Sequence, residues 1–169
     1  MSSSDPADIR RTLEEAEDAF EERGGGIPEY EEGIKSGGGW ETQLTKACRL
    51  LEVADVLREQ NGYHTAVIEL CFGAIERSTE AYAVAMAGDE VEDFRDHKYS
   101  YERAHQIGLF GEETAERMRG LYSENRTESY YGGSRPTDRQ ADTMYDLAVQ
   151  VHSFSVEQIR EGGVCICDG

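Results

Sequence analysis

The chain has 169 residues, 35 acidic against 17 basic, with a net charge of −18 and a mean hydropathy of −0.66. That length holds one domain with a proper core, and no stretch approaches the roughly 20 apolar residues of a membrane span. The charge argues against a basic surface for duplex DNA, and Met1 to Asp5 lack the basic and apolar pattern of a signal sequence, so a soluble, cytoplasmic chain is expected.

Asp5 and Pro6 predict a helix start, an acid at the cap and proline in the first turn, and the helix runs to about Glu22. It is mostly polar and is expected on the outside. Glycine triplets at 24–26 and 37–39 bracket a loop that is long for a compact domain, so residues 1–39 form a peripheral segment. From Trp40 the apolar spacing sharpens. Leu44, Ala47, Cys48, Leu51, Ala54 and Leu57 follow helical periodicity, and Asn61-Gly62 turns the chain. Tyr63 to Ala87 predicts a longer helix whose wide, alanine-rich stripe (Val67, Leu70, Cys71, Ala74, Ile75, Ala81, Tyr82, Ala85) suits a central position.

An acidic linker and two shorter helices follow, about Tyr99 to Ile107 and Glu112 to Tyr122, split by Gly108-Leu-Phe-Gly111. After the turn residues of Ser129 to Pro136, Thr137-Asp-Arg-Gln140 reads as a capping box. The last helix carries Met144, Leu147, Ala148, Val151, Ser155 and Ile159 on one stripe. The expected fold is therefore all-α: an up-and-down bundle of four to five core helices over residues 40–161, with an extra N-terminal helix and a tail at 162–169.

The 14 Arg against 3 Lys, with acids spread along the whole chain, resemble the surfaces of proteins from salt-loving archaea. Molar salt shortens the Debye length to about 3 Å, so such self-repulsion becomes tolerable and local arginine placement says more than the total. Cys48 and Cys71 fall in apolar stripes and read as small core residues, while Cys165 and Cys167 lie in the tail as two thiols that cannot complete a zinc site alone.

No phosphate-binding loop, dinucleotide fingerprint, zinc-protease or nucleophile-elbow motif is present, and no cofactor or metal is expected. Paired carboxylates carry no signal where about one residue in five is acidic. His64, His97, His105 and His152 are dispersed, and His152 reads as a boundary residue with one hydrogen-bond partner. Arg58 and His64, with five residues between them, lie at the turn joining the two long helices.

Tyr122 to Gly133 places Arg126, a polar spacer and the two tyrosines Tyr130 and Tyr131 just before the final helix. Here the sequence resembles the HEPN family of helical domains found in prokaryotic toxin–antitoxin and defence systems, over about residues 40–161, and most closely the branch whose turn reads Arg, four residues, Tyr. The resemblance implies a homodimer whose polar turns meet across the axis, and action on RNA without a metal. Arg126 and Tyr131 are the implied catalytic positions. Active members, however, carry His where this chain has Tyr131, Gly132 and Gly133, and a tyrosine of ordinary pKa about 10 is a poor base at neutral pH. The resemblance also implies a small nucleotidyltransferase as partner, with Tyr130 or Tyr131 as the residue modified. Arg117, Arg119, Arg135 and Arg139 around the turn form the expected RNA-facing set. Two functions follow as expectations: a bundle that binds or cleaves RNA, and a non-catalytic interaction module that keeps the fold without the chemistry.

Overall fold

A computed structural model describes residues 6–23, 26–127 and 132–160, with the backbone alone of Arg126 and Thr127. Among the described residues the secondary structure is helical, with no strand. None of these helices is long and apolar enough to cross a membrane. Contacts divide the chain after Glu32 into two units. The first holds α1 (Pro6–Phe20), in which no residue is buried, as its polar composition predicts.

The second unit is the helical bundle. It takes in the segment before α2 (Gly39–Gln60) because that segment is tied to the helix: Thr45 Oγ1 accepts from the Lys35 amide at 3.1 Å, and the Thr42 hydroxyl donates to the Lys35 carbonyl at 2.7 Å. These bonds hold the start of a helix whose cap position, Gly38, offers no side chain. Asn61 and Gly62 take positive φ, 57° and 88°, a conformation that asparagine and glycine tolerate best, and the chain reverses into α3 (His64–Ala87).

Twelve of the 24 residues of α3 are buried, which makes it the central helix. It packs on α2, on α4 (His97–Gln106) and on α6 (Asp138–Ile159), while α5 (Glu112–Thr127) pairs with α4. Gly88, at φ 75°, ends α3 in a left-handed cap, and a short 3-10 helix, Val91–Phe94, occupies the acidic linker. Asp89 and Arg103 close that linker with a two-pronged ion pair at 2.7 and 2.8 Å, which holds the Asp89 carboxyl below its ordinary value. The main core gathers Leu51, Val67, Ile68, Phe72, Ile75, Met144 and Val151, and Tyr122 meets Phe72 edge-on at 5.4 Å. A smaller cluster of Leu44, Cys48, Ala81 and Val156 sits under Trp40 and Ile159.

Two expectations need correction. Helix α5 does not stop near Tyr122 but continues through Thr127, because Ser123 to Thr127 are polar residues that can extend a helix without adding to an apolar stripe. And the interior of α3 is not uniformly apolar: Glu76, Ser78, Thr79 and Glu80 are all buried. The capping box of α6 forms as expected, the Thr137 hydroxyl accepting from the Gln140 amide and the Gln140 side chain accepting from the Thr137 amide.

Candidate functional site

The extension of α5 changes what Arg126 is. It stands on the final turn of a helix rather than in a loop, seven residues after Arg119, and at about 100° per residue the two share a face of α5. Arg117 lies about 200° away from Arg119 around the same helix, on the opposite side. There it pairs with Glu113 at 3.7 Å, an exposed contact worth little. Arg119 borders a shallow surface depression with Glu102, His105, Glu112 and Glu116. Arg135 and Arg139 are exposed on either side of the start of α6. The four surrounding arginines therefore span several faces rather than one. Tyr130, Tyr131, Cys165 and Cys167 lie outside the described residues.

Next to Arg126 in sequence is an opening in the bundle. A cavity of about 380 Å³ lies between α3, α5 and α6, lined by Ile68, Phe72, Leu121, Glu124, Asn125, Gln140, Thr143, Met144 and Leu147. Its size falls within the range of ligand-binding clefts, and mostly apolar walls with a few polar groups are their usual chemistry. The Asn125 side-chain nitrogen is buried here without a hydrogen-bond partner. An unmade bond of that kind costs about 1–3 kcal/mol, which an acceptor brought in by a ligand would recover.

Two polar clusters in the interior were not anticipated. Glu76 and Glu80, one turn apart on α3, are 4% and 8% exposed. Glu76 accepts from Tyr101 at 3.2 Å and bonds the His97 Nδ1 at 2.8 Å, and Glu80 accepts from Ser100 at 3.0 Å and from Gln43. Burial pushes both carboxyls above their ordinary value, opposed by the partners named. Each carboxylate oxygen is satisfied, so the pair fastens α2, α3 and α4 together and has no open position for a substrate. No group of three or more His, Cys, Asp or Glu among the described residues could hold a metal ion.

The second cluster corrects the reading of His152. It is buried rather than at a boundary, and its ring reaches two helices at once: Cys48 Sγ at 3.2 Å from Nε2 and Ser78 Oγ at 2.9 Å from Nδ1. Cys48 is disulfide-bonded and its sulfur has no proton to give, so Nε2–H donates to the sulfur, while Nδ1 is within hydrogen-bond distance of the Ser78 hydroxyl. Cys71 is a free, buried thiol whose pKa burial raises to about 12, which leaves it inert. Arg58 is likewise committed: it bonds Asp55 at 2.8 Å, approaches Asp142 at 3.5 Å and lies 4.3 Å over the Tyr145 ring. That arrangement braces α2 against α6.

No curated protein and no solved structure matches the chain. A family described as Domain of unknown function (DUF8154) matches residues 4–167, from the first helix to the C-terminal cysteines. Since that match covers nearly the whole length, the chain belongs to the DUF8154 family.

Proposed function

We propose that the chain is a non-catalytic interaction module with a HEPN-like bundle, and that it binds a partner segment in the groove between α3, α5 and α6. The observation that carries this reading is the unpartnered Asn125 amide in an apolar cleft of about 380 Å³, one residue from Arg126. An extended or helical peptide supplies what such a cleft lacks, apolar side chains and a backbone carbonyl to accept from Asn125. The histidine that active members use is replaced by Tyr131, which is consistent with binding in place of cleavage. A place in a toxin–antitoxin or defence system, a homodimer and a nucleotidyltransferase partner follow from the resemblance alone.

RNA is the second reading. It is favoured by Arg119 and Arg126 on one face of α5, at a separation of about 10 Å along the axis. One set of assays separates the two. In molar KCl with a chelator, the wild-type chain is expected to leave RNA intact. Peptides selected on it from a displayed library should lose binding in Thr143→Trp, which fills the groove, and keep it in Arg126→Ala. Chelator-resistant cleavage that vanishes in Arg126→Ala would overturn the module reading in favour of a nuclease. Labelled single-stranded RNA that binds wild type and is released tenfold more readily by the Arg119→Ala, Arg126→Ala pair would establish the second reading.

A further inference from the structure

We propose that α1 is a dimerisation arm whose apolar stripe pairs antiparallel with the same stripe of a second copy of this chain. Ile9, Leu13, Ala16 and Phe20 are separated by four, three and four residues, the spacing of a two-helix seam. Ile9, Leu13 and Phe20 are 62%, 56% and 92% exposed. A 15-residue helix with nothing buried is marginal in water on its own, so its stability depends on a cover for this stripe. The family match begins at residue 4, which makes α1 part of the shared domain rather than an extension to it.

Charge selects the occupant and its direction. With Leu13 and Phe20 in one seam position and Ile9 and Ala16 in the other, an antiparallel pair sets Phe20 against the partner's Ile9 and Leu13 against the partner's Ala16. Large side chains then meet small or branched ones, and the layers interdigitate. The flanking positions bring Arg10 against the partner's Glu17, twice by symmetry, while Thr12 faces the partner's Ala19 without charge. A parallel pair would instead set Glu17 against the partner's Thr12 and stack Phe20 on the partner's Phe20. Among the described residues neither Arg10 nor Glu17 forms an ion pair, whereas Arg11, on the outer face, is already held by Asp8 at 3.1 Å. Glu14, Glu15 and Asp18 stay on the outer side, so the acidic surface is not pressed together. Two helices of this length make an interface below the standard size, so the association is expected at about micromolar concentration and depends on dilution.

The contact uses none of the residues that line the groove of α3, α5 and α6, so its loss is read from the mass of the assembly and not from peptide or RNA binding. The test is a concentration series of the full chain by sedimentation velocity at about 0.2 M KCl, where charge pairs still act. Leu13→Glu should stay at the monomer mass throughout the series, including the concentrations at which wild type doubles its mass, with the helical content of the bundle unchanged. Arg10→Glu and Glu17→Arg should each weaken association at least tenfold, and an equimolar mixture of the two, or both changes in one chain, should restore it. A monomeric wild type throughout the series, an unchanged mass in Leu13→Glu, or charge variants that stay weak when mixed would each overturn the proposal.

Discussion

Glu80 shows how much a single side chain decides. Its two oxygens take bonds from Ser100 and Gln43, three helices meeting at one carboxyl that burial makes reluctant to ionise. Replacement by glutamine keeps the shape: the new amide carbonyl accepts from Gln43 and its NH₂ donates to the Ser100 oxygen. Glu80→Gln should therefore leave the melting temperature unchanged near pH 5 and raise it at pH 8, where wild type must bury a charge. Glu80→Ala strands both partners and should cost about 1–3 kcal/mol in urea unfolding. None of this was legible in the sequence. In a chain so rich in acid, Glu76 and Glu80 look like any solvated pair, and they share a helical face with Phe72 without any compositional mark. His152 was missed for a related reason: beside Val151 it reads as an edge residue, and the two groups it joins are 104 and 74 residues away in sequence.

At the scale of elements, the reading from periodicity succeeds wherever apolar residues set the boundaries. The stripe from Leu44 to Ala54 is buried as predicted, as are Met144, Ala148 and Val151, with Leu147 partly buried, and Asn61-Gly62 makes the turn between the long helices. It fails at α5, whose last turn is polar, and so it placed Arg126 in a loop. The groove beside Arg126 was invisible for a different reason. It is a gap between three helices, and no one helix encodes it. The capping box of α6 is a local device and was legible because its two residues recognise each other's backbone. Thr137→Ala should lower stability by about 1 kcal/mol, measured as a shift of the urea midpoint with the slope unchanged.

For the whole molecule, acid titration has a definite sign. Glu76 and Glu80 have raised values when folded, so their contribution is full below the ordinary glutamate value of 4.5 and is lost as pH climbs through the raised values. Asp89 runs the other way: lowered by Arg103, it contributes above its ordinary value of 3.8 and loses that contribution as pH falls through the folded value. Partial neutralisation of a net charge of −18 also relieves self-repulsion. The melting temperature should accordingly be higher near pH 5.5 than near pH 8 and fall again below about pH 4. The double change Glu76→Gln, Glu80→Gln should flatten the upper limb and leave the acid limb in place.

The self-contained start of α6 has a consequence for how this domain can vary. Because Thr137 and Gln140 close the helix end between themselves, the cap of α6 draws on no side chain from the stretch that leads into it. The stretch between α5 and α6 can be rebuilt like an exchangeable tip on a fixed handle. Doubling a connection of that kind costs only about 0.6 kcal/mol in closure entropy. Eight glycine and serine residues inserted between Gly132 and Gly133 should leave the melting temperature within a few degrees of wild type, and a graft of foreign recognition sequence at that point should fold as readily as the parent.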